Sequence, residues 1–349
     1  MRCIITYVLF LMLIPYVSAQ EFSVMPTSVD SYGTIDQTIE QMIDDAILEK
    51  VTIHAQKKHG SVDTIKRKGI LIRRKKAKAN ILICHGFMCN KFDVGFLRSL
   101  FGPEYNFLAF DFRAHGEQTE GQVCTFGRDE SLDVLASAQF MKHHPEVGHL
   151  PLFVYGFSMG AASAIEAQSK HPYLFKGMIL DCPFDSIENV LKRSINTLTF
   201  SVCGYQFYVP GRRLLHKYAF HPYVQAILKP MLKAAANMDP KQIDTQICQV
   251  KPQESIKKIT IPCFIICCKK DEKVSIPAIK AVFNGAQGYK KLWLTNGRNH
   301  CDSFFYNPEC YSKRLNTFMH AVLQNTLRSK KQRKVIEDVV DLDCGGQIV

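Results

Sequence analysis

Leu152-Phe153-Val154-Tyr155-Gly156-Phe157-Ser158-Met159-Gly160-Ala161-Ala162-Ser163 decides the fold of this chain. Leu152 to Tyr155 is an apolar run of strand length, and Ser158 to Lys170 has helical spacing. Between them lies G-x-S-x-G, Gly156 to Gly160. A tight strand-to-helix turn needs small residues where a Cβ would obstruct the backbone. Such a turn holds a serine hydroxyl above the sheet, where the new helix N-terminus favours negative charge. Ser158 is therefore the candidate nucleophile, with Gly156 and Gly160 shaping its elbow.

A serine hydroxyl is a weak nucleophile without a base, so an acid and a histidine should follow along the chain. Asp271 follows the apolar run Cys263 to Cys268, within Lys270-Asp271-Glu272-Lys273-Val274. His300 follows the run around Trp293, within Asn296-Gly297-Arg298-Asn299-His300. His300 would take the serine proton, and Asp271 would hold the imidazole tautomer and stabilise its cation. Glu272, Asp302, Asp181 and Asp185 are the competing acids. His85 and His115 are the competing bases, each expected to bond loop backbone instead. Two backbone N–H groups should receive the oxyanion: that of Met159, after the nucleophile, and that of Phe87 in His85-Gly86-Phe87-Met88.

Outward from this centre, strand and helix signals alternate. Strands are expected at Val51–His54, Gly69–Ile72, Asn80–Cys84, Phe107–Phe110, Leu152–Tyr155, Lys176–Leu180, Cys263–Cys268 and around Lys291–Leu294. Helices are expected at Asp129–His143, Ser158–Lys170, Pro277–Phe283 and Pro308–Leu327. Runs that are apolar throughout belong in a sheet covered on both faces, and the alternation makes it mostly parallel. Thr34 to Leu48 carries Ile35, Ile39, Met42, Ile43, Ala46 and Ile47 on helical spacing, after a polar linker from residue 20. Ile187 to Lys257 breaks the alternation. It is helical in pattern without a convincing strand, and is expected to be a cap insertion (about 187–257) in a domain spanning 51–327. Its aromatics, Phe200, Tyr205, Phe207, Tyr208, Tyr218, Phe220 and Tyr223, suit an apolar pocket.

With these motifs assembled, the chain resembles the α/β-hydrolase superfamily from about Val51 to Gln324. Cys84-His85-Gly86-Phe87, Asp111-Phe112-Arg113-Ala114-His115-Gly116, Gly156 to Gly160, Leu180-Asp181-Cys182-Pro183-Phe184 and Lys270 to Val274 occur in family order. The branch it looks most like is the serine aminopeptidase-like or ABHD-type serine hydrolases, which include esterases, lipases and acyl-protein thioesterases. The resemblance implies an eight-stranded, mostly parallel sheet flanked by helices, with a helical cap before the strand that carries Asp271. A serine in place of an aspartate nucleophile argues against haloalkane dehalogenase chemistry. Ala114 stands where the family commonly has Gly. Cys268-Lys269-Lys270 replaces the usual His-Gly before the acid, and no Gly stands immediately before His300.

The expected activity is cleavage of a carboxylic ester or thioester through an acyl-enzyme on Ser158, on a small-molecule or lipid-like acyl substrate. Esters rank ahead of amides. The alternatives are an exopeptidase of the same fold, with Glu188, Asp239, Asp244 or Glu254 receiving the substrate amine, and a non-enzymatic binding protein. No cofactor is expected.

The 349 residues amount to about two domains at about 150 residues each, or one large domain with an insertion. With 46% hydrophobic and 22% charged residues the chain is globular. Met1 to Ala19 has one positive charge, Arg2, then an apolar run from Cys3 to Val17 and small residues at Ser18 and Ala19. That is a secretory signal pattern, so export to the periplasm or the exterior is expected. Anchoring in a membrane by residues 3–17 is the alternative. Cleavage would lower the formal charge from +12 by one and leave twelve of 13 cysteines. Cys84, Cys182, Cys263, Cys267 and Cys268 sit in or beside apolar runs and are expected as free core thiols. One or two bridges are expected among Cys89, Cys124, Cys203, Cys248, Cys301 and Cys310. No Cys/His spacing matches a zinc site, so no metal is expected. Basic runs at Lys66-Arg67-Lys68, Arg73 to Lys78 and Arg328 to Lys334 suit solvated loops, or an anionic membrane surface. Nucleic acid is not expected, for want of any motif beyond charge. Residues 328–349 form a charged tail expected to lack order. Oligomeric state is not legible.

Overall fold

The computed structural model describes residues 46–197, 199–202, 205–235, 243–328 and 334–337. In chain order the strands are β1 (Ala46–Gln56), β2 (Thr64–Arg74), β3 (Ala79–Cys84), β4 (Tyr105–Phe110), β5 (Leu152–Phe157), β6 (Gly177–Asp181), β7 (Thr199–Val202), β8 (Tyr205–Tyr208), β9 (Cys263–Cys268), β10 (Lys290–Thr295) and β11 (Lys334–Glu337). The helices are α1 (Glu130–His143), α2 (Met159–Lys170), α3 (Ile187–Thr197), α4 (Arg212–Lys217), α5 (Pro222–Ala235), α6 (Pro252–Ser255), α7 (Ile276–Gly285), α8 (Ser303–Tyr306) and α9 (Pro308–Leu323).

Nine strands form one sheet in the order β1-β2-β4-β3-β5-β6-β9-β10-β11. β1 and β2 pair antiparallel, as do β2 and β4, and the other pairings are parallel. Every residue of β3, β4, β5, β6 and β9 is buried, as apolar-throughout sequence requires of strands covered on both faces. On one face, α9 lays Tyr311, Leu315, Phe318 and Met319 among Phe153, Tyr155, Phe264 and Trp293. The Phe264 and Phe318 rings are 5.5 Å apart, and Trp293 and Tyr311 are 5.7 Å apart. α1 and α2 pack together and against the sheet.

Four expectations change. The helix expected over Thr34–Leu48 falls outside the described residues except at its end, and there Ala46 to Leu48 belong to β1. Ala46 faces Arg74 and Leu48 faces Ile72 in the ladder, so pairing with β2 overrides the helical spacing. The sheet has nine strands where eight were expected, because Lys334 to Glu337 of the expected unordered tail pairs with β10. An open sheet edge offers unpaired N–H and C=O groups, which four residues of extended chain satisfy. The insertion contains a hairpin, β7 with β8, with Thr199 opposite Tyr208. Among the cysteines expected to bridge, Cys89, Cys124, Cys248 and Cys301 are not in a disulfide, and Cys310 is disulfide-bonded. Cys203 lies outside the described residues, as do residues 1–19 and the linker.

The chain divides into two compact units. One runs over 29–190 and 243–349 and carries the sheet; Leu191–Gln242 belongs to the other, a narrower segment than the expected 187–257. Within Leu191–Gln242, the Arg212 guanidinium lies 4.5 Å over the Tyr208 ring and donates to the Asn196 carbonyl at 2.8 Å. Tyr205, Phe207, Tyr208, Tyr218 and Tyr223 are exposed there. Phe220 is half-buried, and the side chain of Phe200 is not among those described.

Candidate active site

Ser158 joins β5 to α2 with φ 45° and ψ −108°, a conformation few side chains tolerate. The surroundings enforce it. Ser158 N–H donates to Asp181 O at 2.9 Å, and Ser158 O accepts from Ala162 N–H at 3.0 Å. A Cβ on Gly160 would lie 2.2 Å from Cys84 O, and one on Gly156 would lie 2.7 Å from Ala161 Cα. The absence of both side chains lets α2 start against the end of β3.

His300 brings its Nε2 to 2.8 Å from Ser158 Oγ and its Nδ1 to 2.7 Å from Asp271 Oδ2. Asp271 follows β9 and His300 follows β10, strands that lie side by side in parallel. Both loops therefore leave the same end of the sheet. The other oxygen of Asp271 accepts from the N–H groups of Lys273 and Val274, each at 2.8 Å, which fixes the carboxylate. Burial would raise the Asp271 pKa, but the His300 ring and the Val274 N–H outweigh it and hold it below the usual value. Burial would lower the His300 pKa; Cys301 and Asp271 oppose it, and the net result is well above the usual value. These surroundings favour the protonated form of the ring.

The loop after β3 runs beside the serine: a Cβ built on Gly86 would sit 4.0 Å from Ser158 Cβ. Phe87 is the next residue, and Met159 opens α2. Among the described residues neither N–H donates a backbone hydrogen bond. His85 anchors this loop. Its Nδ1 is 2.7 Å from Gly86 O, and its Nε2 accepts from Phe112 N–H at 3.0 Å, so the ring is neutral with the proton on Nδ1. Burial, then His115, push its pKa down to about 3. His115 bonds Arg113 O at 2.9 Å, and burial lowers its pKa too. Neither histidine reaches Ser158. Asp111 accepts from both the backbone N–H and the ammonium of Lys91, at 2.8 and 2.7 Å. A Cβ on Gly116 would lie 2.2 Å from Asp111 Cγ, so Asp111 to Gly116 is a structural brace.

The competing acids lie elsewhere. Asp181 is fully buried and accepts from the Tyr311 hydroxyl at 2.6 Å and from that of Tyr155 at 3.3 Å; burial pushes its pKa up to about 7. Asp185 accepts from Asn189 Nδ2 at 2.5 Å and Asp302 from Arg298 N–H at 2.8 Å. Glu272 is exposed. One feature beside Ser158, Asp271 and His300 was not visible in the sequence. The thiol of Cys182 meets those of Cys267, Cys268 and Cys301 directly beside His300 and Asp271.

Residues 75–301 match the family described as serine aminopeptidase, S33 (Hydrolase_4). The chain belongs to this family. It is thus a hydrolase of the α/β-hydrolase fold, as its motifs implied. It is 24% identical over 249 residues to the uncharacterized protein YqkD of Bacillus subtilis (strain 168), covering 70% of this chain and 72% of that protein. Among solved structures, the Pyrococcus furiosus esterase Pf2001 is 21% identical with a TM-score of 0.56, covering 79% of this chain and 93% of that one. The peroxisomal α/β-hydrolase Lpx1 of Saccharomyces cerevisiae is 15% identical with a TM-score of 0.55, covering 84% and 94%. These two likenesses show the shared fold.

Proposed function

We propose that this S33-family hydrolase cleaves a carboxylic ester or thioester through an acyl-enzyme on Ser158. The hydrogen-bonded chain from Ser158 Oγ through His300 to Asp271 carries the proposal. His300 Nε2 takes the hydroxyl proton as Oγ attacks the carbonyl carbon. The tetrahedral oxyanion meets the N–H groups of Phe87 and Met159, and each such donor typically contributes about 2.7–4 kcal/mol to the transition state. Collapse breaks the bond to the alkoxide or thiolate, which leaves with the proton held by His300. Water then repeats the sequence on the acyl-enzyme, and Ser158 regains its proton. No cofactor enters these steps.

The name of the P. furiosus protein supports ester chemistry, and the family name favours a second reading, an exopeptidase. An exopeptidase needs a carboxylate for the substrate amine. Of the candidates, Glu254 pairs with Lys257 at 2.7 Å, one oxygen of Asp244 accepts from Thr245 N–H at 2.8 Å, and Glu188 lies in the first turn of α3. Asp239 lies outside the described residues. A fluorophosphonate probe should label the protein and not Ser158→Ala, and equal labelling of the two overturns the assignment. A panel of p-nitrophenyl esters and aminoacyl nitroanilides then separates the readings; turnover of the anilides alone reverses their order.

A further inference from the structure

Cys182 and Cys301 belong to chain segments far apart in sequence. Cys182 follows β6, and its N–H donates to Ile266 O at 2.9 Å, which sets it beside the end of β9. Cys301 follows His300 directly. Both hold positive φ, 50° and 60°, unusual for a residue with a side chain. Each thiol is at most 5% exposed, and neither is in a disulfide. One donor atom each from Cys182, His300 and Cys301 lies within 4.8 Å of the others. Cys182 also shares a second such group with Cys267 and Asp271.

We propose that Cys182, His300 and Cys301 form an inhibitory site for a zinc-class divalent ion, which binds by capturing the histidine of the candidate triad. Two thiolates and an imidazole are the ligand set of tetrahedral Zn2+. With Zn–S near 2.3 Å and Zn–N near 2.0–2.1 Å, ligands around such an ion stand about 3.5–3.8 Å apart. The donors here close to that geometry through shifts of about 1 Å. Two S–Zn bonds and one N–Zn bond form, each ligand that still holds a proton at the bonding atom (a thiol S–H or a ring N–H) releases it to water, and the fourth position takes a water molecule. His300 contributes a ring nitrogen in either of two ways. If Nε2 is taken, Ser158 has no acceptor for its proton; if Nδ1 is taken, Asp271 is displaced. The ring ceases to be a base in both cases. His300 keeps 14% of its side-chain surface accessible, which gives an ion a route to the buried thiols.

The inhibition rests on the acyl-enzyme proposal, whereas metal binding can be read without it. The test uses the full-length, reduced, EDTA-stripped protein. Co2+ titration should produce thiolate-to-cobalt charge-transfer absorption saturating at one equivalent and abolished by Zn2+. Cys182→Ser and Cys301→Ser should each weaken it by at least about 10–100-fold, the loss typical when even a partner of a metal ligand is removed. Cys248→Ser, at a buried cysteine outside the cluster, should leave it intact. Saturating Zn2+ should suppress fluorophosphonate labelling of the unsubstituted protein reversibly with EDTA. Each cysteine variant is compared with itself with and without Zn2+, and its fold is checked by circular dichroism. Absence of the charge-transfer band in folded protein, or its persistence in both variants, overturns the site. Labelling unchanged by Zn2+ despite the band overturns the inhibition. A band with no labelling even in EDTA supports the metal site and overturns the acyl-enzyme instead.

Discussion

Acid should destabilise this protein through His85, well above the range in which carboxylates protonate. His85 is fully buried, and both its ring nitrogens are committed, Nδ1 to Gly86 O and Nε2 to Phe112 N–H. A second proton on Nε2 would set a donor against a donor. Its pKa is about 3 in the fold, chiefly through burial, and about 6.5 in the unfolded chain. The unfolded chain therefore binds one more proton between those values. Stability from this group is complete above about pH 6.5 and falls by about 1.4 kcal/mol per unit as pH drops towards 3. From about pH 7 to about pH 4 the loss is about 3 kcal/mol, a large share of the 5–15 kcal/mol typical of a folded domain. Urea unfolding followed by circular dichroism, at steps of pH across this range, measures it. His85→Asn cannot take up the proton. Its amide can still donate to Gly86 O, while Phe112 N–H loses its acceptor, at about 1–3 kcal/mol. The comparison is accordingly between slopes. The variant's slope should be shallower by about one proton, and contributions common to both proteins cancel. Equal slopes would refute the neutral, buried assignment of His85.

Three substitutions test the backbone contacts around Ser158 and the brace beside them. Gly160→Ala forces a Cβ to within 2.2 Å of Cys84 O, so it should cost at least about 1–3 kcal/mol and abolish probe labelling, whereas Gly86→Ala meets nothing closer than 3.9 Å and should change stability by no more than about 0.5 kcal/mol. Equal melting temperatures for the two variants would contradict this. Asp133→Asn removes the charge partner of Arg113, buried with it and bonded at 2.8 Å. Breaking such a pair typically costs about 3–5 kcal/mol, readable as a lower urea midpoint.

What could be seen in the sequence follows from the physics of each element. Strands such as β5 and β9 are apolar at every position because both faces are covered, and that leaves an unmistakable run. β11 has no such run: Lys334-Val335-Ile336-Glu337 is extended because β10 has an open edge, a property of the partner strand. β1 was half hidden, because Ala46 and Ile47 also continued a helical spacing. Ser158, Asp271 and His300 were legible because each follows an apolar run in the required order. His85 and His115 were expected to bond loop backbone and do so, but which carbonyls they meet, Gly86 O and Arg113 O, is set only by the folded loops. The thiol cluster was invisible because zinc-site spacing is a sequence criterion, and Cys182 meets Cys301 only across the end of the sheet.

The sheet order also sets a timetable for synthesis. Ser158 precedes its hydrogen-bonding partner His300 by 142 residues. At about 5–20 residues per second, a ribosome needs on the order of ten seconds to make that interval. Throughout it the chain holds the elbow sequence without the imidazole that hydrogen-bonds to Ser158 in the folded protein. In the finished sheet β9 pairs with β6 and β10 with β9, so the strands that carry Asp271 and His300 both lie on the C-terminal side of β6. On the proposed acyl-enzyme reading, Ser158 therefore lacks its base until the C-terminal part of the sheet has been made.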